Sequence, residues 1–163
     1  MDLEDLTRRV RVLEDIEAIK RLKYRYADAC DRGYDADTLA ELFTVDAVWE
    51  GGIFGRYEGR EAIRRFFQGV SSEITFATHY LMNPIIDVDG DRATGAWYLF
   101  QTSTFADGNQ AIWGAARYDD EYARVDGEWK FSYRNIRNEF LAGRESDSAN
   151  PVLAMDAKAE AAR

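Results

Sequence analysis

The stretch FATHYLMNPIIDVDGDRATGAWYLFQTSTFADGNQAIWGAARYDDEYARVDGEWKFSYRNIRNEF, residues 76–140, decides the fold. It divides into four runs rich in aromatic and β-branched residues: Phe76 to Val88, Ala93 to Phe105, Gln110 to Val125 and Trp129 to Phe140. Between them stand Asp89-Gly90, Asp107-Gly108 and Asp126-Gly127. Asp-Gly favours a tight hairpin because glycine takes a positive φ without steric cost. Three such signals between four strand-like runs predict an antiparallel meander.

The residues before it follow a different period. Leu13, Ile16, Ile19, Leu22, Tyr26 and Cys30 recur at three- and four-residue intervals, which predicts an amphipathic helix over Leu13 to Asp31, stopped by Gly33. Two shorter helices are expected over Ala36 to Leu42 and Glu61 to Val70, the latter with Ile63, Phe66, Phe67 and Val70 on its buried side. Ala47, Val48 and Trp49 read as a short strand, and Gly51, Gly52 and Gly55 as a bend. Helices first and sheet later, without βαβ alternation, means an α+β domain in which about three N-terminal helices cover one face of a curved sheet and leave a hollow between the layers. One such domain accounts for residues 1–163, with 1–12 as an N-terminal extension and the alanine-rich, charged stretch 143–163 as a tail, partly helical, frayed or capping a neighbouring subunit.

Charge and hydropathy narrow the partners. With 21 basic against 30 acidic residues the net charge is −9, which repels a nucleic-acid backbone, so no nucleic acid is expected. The uncharged stretches Ile74 to Ile86 and Ala93 to Ala106 fall short of the roughly 18 apolar residues of a membrane span, so no membrane is expected either. The opening MDLEDLTRRV carries acids where a signal peptide has a basic patch and an apolar run. Cys30 is the only cysteine, so no internal disulfide can form, and the expected location is cytoplasmic.

His79 is the only histidine. Strand alternation places it with Ala77 and Leu81, opposite Phe76, Thr78 and Tyr80, on the apolar face. It reads either as a hydrogen-bonded core histidine or as a buried base. A base needs an acidic partner to fix its tautomer. Asp31 is the candidate, 18 residues and about five helical turns after Leu13, at the edge of the buried face. The alternative is a solvated carboxylate, although the negative end of the helix dipole disfavours one there. Tyr26 lies at the centre of the same face, where its phenol either packs or donates a hydrogen bond to a substrate oxygen.

The expected cavity walls are Trp97, Leu99, Trp113, Trp129 and Phe131 from the strands and Phe66 and Phe67 from the third helix. Tyr98, Gln101, Gln110, Tyr133 and Arg137 are the polar residues expected to reach inward. Of these, Trp97, Leu99, Gln101, Gln110, Trp113, Phe66 and Arg137 are the expected substrate-binding set, and a β-bulge would flip the assignment. Tyr118-Asp119-Asp120-Glu121 reads as solvated loop or edge-strand charge. No nucleophile elbow, phosphate loop, dinucleotide glycine pattern or metal-ligand spacing occurs, so neither metal nor cofactor is expected.

These residues carry a family resemblance. Ile16-Glu17-Ala18-Ile19-Lys20-Arg21-Leu22-Lys23, then Tyr26 and Asp31, resembles the opening helix of SnoaL-like proteins of the nuclear transport factor 2-like superfamily. Arg92 through Leu99, Tyr118 through Tyr122 and Asp126 through Phe131 are similar to the same group, so the resemblance covers about Leu13 to Phe140. Within it the chain most resembles bile acid 7-alpha-dehydratase, then scytalone dehydratase and hexachlorocyclohexane dehydrochlorinase. The resemblance implies a cone-shaped barrel of curved mixed antiparallel sheet, with His79 as base, Asp31 as its carboxylate partner and Tyr26 as the activating phenol. Arg137 falls near a cavity arginine of the bile acid enzymes. Gln101 and Gln110 replace an aspartate and a tyrosine of that enzyme, and Gly51 a further tyrosine.

The implied activity is a cofactor-independent lyase, a dehydratase acting on a bulky hydrophobic hydroxylated ketone such as a steroid or polyketide. A ketosteroid-type isomerase and a non-catalytic hydrophobic ligand-binding domain are the alternatives. A homodimer or homotrimer is expected by analogy.

Overall fold

In the computed structural model, which describes residues 2–143, helix α1 spans Leu3–Asp31. The Asp2 side chain caps it by accepting from the Asp5 N–H at 2.8 Å, and Glu4 and Asp5 sit at the positive end of its dipole. Residues 3–12, expected as an extension, are therefore its first turns. Leu3, Leu6, Val10 and Leu13 continue the three- and four-residue spacing along them, but all four are exposed, Leu13 at 64%, so the core face starts further on. The buried stripe begins at Ile19 and continues through Leu22, Lys23, Tyr26 and Cys30. Helix α2 (Ala36–Glu41) is capped by Asp35, and α3 (Arg60–Glu73) runs three residues past the expected end.

Six strands form one sheet: β1 (Phe43–Glu50), β2 (Arg56–Glu58), β3 (Ile74–Asp89), β4 (Arg92–Phe105), β5 (Gln110–Val125) and β6 (Glu128–Gly143). Their order is β2-β1-β6-β5-β4-β3, and β1 lies parallel to β6 while every other pair is antiparallel. The expected meander is thus β3 to β6. At its last turn Asp126 and Gly127 have φ of 51° and 83°, the two left-handed residues of a type I′ hairpin. The barrel, by contrast, does not close. β2 and β3 remain separate edges, and the helices pack on the inner face, α1 against β3 and β6 and α3 against β1. The result is an open α+β cone.

β-Bulges set which residues look inward. Tyr122 pairs with Phe131 but Glu121 pairs with Tyr133, so Ser132 is an extra residue in β6. Beyond it Arg134, Ile136 and Asn138 share the inner face with Asp120, Tyr118 and Ala116, and Tyr133, Asn135 and Arg137 are turned outward. A second bulge in β3 separates Met82 from Ile85. The core is built on Phe43, Phe131, Ile19, Leu39, Ile63 and Trp97.

On the outer face Phe76, Tyr80, Met82, Ile85, Tyr98 and Trp113 are exposed. No described helix is long and apolar enough to cross a membrane. The tail expected over 143–163 lies outside the described residues except for Gly143, which ends β6.

Candidate active site

At the end of α1 the chain turns sharply. Gly33 (φ 90°) follows Arg32, and the N–H groups of Tyr34 and Asp35 return to the Cys30 and Ala29 carbonyls at 3.1 Å each. This leaves the Asp31 carboxylate facing the edge strand. It accepts the His79 backbone N–H at 3.0 Å and lies 2.7 Å from His79 Nδ1. A carboxylate only accepts, so the contact puts a ring proton on Nδ1, and in the neutral imidazole that leaves the lone pair on Nε2. Nε2 has no partner among the described residues. The His79 side chain is 6% exposed and that of Asp31 29%.

His79 lies on the wall of a cavity of about 570 Å³ between the helices and the sheet. Tyr26, Tyr34, Trp49, Tyr57, Phe66 and Phe67 supply most of its aromatic surface, and Gln101 and Asn138 its amides. Volume and lining suit a small hydrophobic molecule oriented by a few polar groups. The Tyr26 oxygen accepts from Trp49 Nε1 at 3.3 Å, so its own O–H remains a donor. Burial pushes the Tyr26 phenol well above the ordinary tyrosine range, against the pull of the Arg134 guanidinium stacked 3.4 Å over its ring. Burial likewise pushes the Cys30 thiol up to about 12, which keeps it a thiol.

The structure brings together His79, Asp31, Tyr26, Gln101 and Phe66, with Gln101 directly paired to His79 across β3 and β4. It does not bring the rest of the expected set to the cavity. Trp97 is sealed in the core, its indole N–H donating to Tyr122 Oη at 3.0 Å, and Leu99 packs on the inner face between Leu81 and Ala116. Gln110 is exposed where β5 begins. Trp113 pairs with Thr102 on the outer face and is 55% exposed. The bulge at Ser132 turns Arg137 outward, where it meets Asp119 at 2.8 Å.

Of the remaining wall residues Phe67 lines the cavity, whereas Phe131 fills the core and Trp129 donates to Asp15 at 3.0 Å. Tyr98 lies under Arg117 outside, and Tyr133 donates to Glu50 at 3.0 Å.

Beneath Tyr26 lies a charged layer absent from the expectations. Lys23 Nζ is 2.5 Å from Asp120 Oδ2 and 3.5 Å from the centre of the Tyr118 ring, and both ionic side chains are fully buried. Tyr122 also donates to Asp120, at 3.0 Å. Arg134 is sealed as well, 4.0 Å from Asp120 and held between the Tyr26 and Tyr118 rings. Desolvation, then the nearby Arg134, pulls the Lys23 ammonium well below its ordinary range. The reading of Asp120 as solvated charge is therefore corrected: it shares the inward parity of Tyr118 and Tyr122. Lys23 had a signal too, since it falls four residues after Ile19 in the apolar stripe. Tyr34, Trp49 and Tyr57 had none beyond being aromatic. Among the described residues no group of three or more His, Cys, Asp or Glu side chains is placed to hold a metal ion.

The profile of the SnoaL-like domain family matches residues 11–135. Gamma-hexachlorocyclohexane dehydrochlorinase of Sphingobium indicum is 34% identical over 99 residues, which are 60% of this chain and 64%, less than two thirds, of that protein. An uncharacterised protein of Mycobacterium tuberculosis is 31% identical over 130 residues, 77% of this chain and 86% of its own length. Among solved structures, a type 3 hexachlorocyclohexane dehydrochlorinase of Novosphingobium barchaimii superposes with a TM-score of 0.76 at 28% identity, over 85% of this chain and 95% of that one. A scytalone dehydratase-like protein of Novosphingobium aromaticivorans shares the fold, with a TM-score of 0.75 at 24% identity over 86% and 94%.

The phenols also fix a dependence on pH. Burial raises Tyr26, Tyr34, Tyr118 and Tyr122 above the ordinary tyrosine value. Below about pH 10 folded and unfolded chains both keep these protons; above it the unfolded chain releases them first, so stability falls by ~1.4 kcal/mol per pH unit for each phenol. Urea midpoints should drop steeply above about pH 10, less so in Tyr118→Phe. A midpoint unchanged to about pH 11 would contradict this protonation.

Proposed function

The chain belongs to the SnoaL-like domain family, and from that premise we propose that it is a lyase that removes water from a bulky hydrophobic hydroxylated ketone of the steroid or polyketide type. The observation that carries the reading is the 2.7 Å contact between His79 Nδ1 and Asp31 on the wall of an aromatic cavity. Asp31 keeps the proton on Nδ1, so Nε2 can take a proton from the carbon next to the substrate carbonyl. The Tyr26 O–H holds the carbonyl oxygen as negative charge builds there. The electrons left on carbon form the new double bond, and the leaving hydroxyl takes the proton back from the imidazolium and departs as water. Base, acid and oxygen donor are all side chains, so the reaction asks for no cofactor.

The dehydrochlorinase relatives support this reading, because expelling hydrogen chloride and expelling water both pair loss of a proton with loss of a group from a neighbouring carbon. A cytoplasmic protein with a small-molecule substrate and no nucleic-acid partner belongs to the same proposal, in keeping with the charge of −9 and a single buried cysteine. Self-association into a dimer or trimer through the outer sheet face belongs to it too. That face exposes Phe76, Tyr80, Met82, Ile85, Tyr98 and Trp113, an apolar set that partner subunits commonly cover.

His79→Ala and Asp31→Asn should each lower turnover by ~10²–10⁴-fold, the usual worth of general acid–base catalysis. Near-ultraviolet circular dichroism should stay unchanged. The assay is loss of water, followed by mass spectrometry, over hydroxylated steroids, ketosteroids and aromatic polyketide-like ketones. Full activity of either variant would contradict the mechanism, and binding without turnover across the panel would make this a ligand-binding domain.

For the assembly, sedimentation should give a dimer or trimer, and Trp113→Glu combined with Tyr80→Glu a monomer. A monomeric parent protein would remove the proposed interface.

A further inference from the structure

Tyr34 holds a backbone conformation that a tyrosine seldom adopts. Its φ is 59°, and among the described residues the other non-glycine positions at positive φ are Asn83, Asn109 and Asp126, of the types that tolerate it best. The two hydrogen bonds that close α1 impose it. The strain is kept at a place where the ring is fully used. The side chain is 7% exposed, stacks on Phe67 at 6.3 Å and 15°, and meets the His79 imidazole edge-on at 6.2 Å and 79°. Strained residues held in place by their surroundings gather at binding sites.

Packing explains the ring but not the hydroxyl. Among the described residues the Tyr34 oxygen has no hydrogen-bond partner, and it is not one of the sealed unpartnered polar atoms. Tyr34 lines the cavity together with His79 and Tyr26. Burial keeps this phenol protonated, so what it offers the cavity is a donor. Tyr26 and Tyr34 both lie against Phe67, with ring centres at 6.0 and 6.3 Å, and only Tyr34 also touches the imidazole.

We infer that Tyr34 is a second substrate-binding phenol, and that the ligand is a β-hydroxy ketone whose carbonyl meets Tyr26 and whose departing hydroxyl meets Tyr34. The assignment rests on the lyase reading. The imidazole that removes the α-proton must return it to the leaving oxygen, so that oxygen has to lie beside His79, where Tyr34 stands. The Cα–H bond breaks to His79 Nε2, its electrons form the carbon–carbon double bond, and the Cβ–O bond breaks with its pair going to oxygen. That oxygen takes the imidazolium proton, and Tyr34 donates a hydrogen bond to it throughout without losing its own proton.

The test separates binding from turnover by using a pair that cannot eliminate, since the carbon between the two functions bears no hydrogen: 2,2-dimethylcyclohexanone and 3-hydroxy-2,2-dimethylcyclohexanone. Their Kd values are read from the NMR shifts of the lone histidine ring. The parent protein should bind the hydroxy ketone more tightly than the ketone. Tyr34→Phe keeps both ring contacts and should weaken the hydroxy ketone ~5–10-fold, the worth of one hydrogen bond, while leaving the ketone within about twofold. Tyr26→Phe should weaken both. Equal loss for the two ketones in Tyr34→Phe, no loss in either, or no shift of the His79 signals in the parent protein would overturn the assignment. If the lyase reading alone is wrong, this discrimination survives in a protein that turns nothing over.

Discussion

A single carboxylate fastens the helical layer to the free edge of the sheet. Asp31 stands at the C-terminus of α1, where the helix dipole disfavours negative charge. What offsets this is His79, which gives the same carboxylate both its backbone N–H and its ring Nδ1. The grip is structural and chemical together. It ties α1 to β3, which pairs on one side only, and it fixes which imidazole nitrogen is left for a ligand. The sharp turn at Gly33 and Tyr34 follows from the same demand, since the chain must leave the helix at once to keep Asp31 against the strand.

Behind the cavity wall the molecule spends its least favourable interactions. Lys23, Asp120 and Arg134 are fully buried, two basic groups about one carboxylate, and taking charge out of water costs several kcal/mol per ion unless partners restore it. Partners are supplied mainly by rings. Arg134 lies between Tyr26 and Tyr118, and Lys23 over Tyr118. This layer positions Tyr26 from below while Trp49 holds its oxygen from the side. Raised by burial, the phenol keeps its proton and can donate. Tyr34 reaches the same end from the other side of Phe67, held by backbone strain in place of buried charge.

Much of this was legible in the residues because it is written in local patterns. The three Asp-Gly pairs set the meander, the stripe from Ile19 to Cys30 set the buried face of α1, and strand parity put His79 on the inner face. What was lost depends on events that leave no local mark. One extra residue at Ser132 reverses the parity of β6, so that Arg134 enters the core and Arg137 leaves it. Hydrophobicity alone points Trp113 inward, yet its parity opposite Thr102 turns it outward, into the company of the outer apolar face. The opening turns of α1 carry apolar residues at helical spacing, Leu3, Leu6, Val10 and Leu13, yet all four are exposed, so the pattern there does not mark a core face. Closure of a sheet into a barrel is a relation between its first and last strands, and β2 and β3 do not meet.

His79 is the only imidazole in the chain, which makes its two nitrogens directly readable by ¹⁵N NMR of the labelled protein at neutral pH. The Asp31 contact predicts one neutral tautomer, with the proton on Nδ1 and Nε2 bare, and predicts that Asp31→Asn disturbs this preference while the sheet stays folded. A ring carrying its proton on Nε2, or an even mixture of the two tautomers insensitive to Asp31, would contradict it.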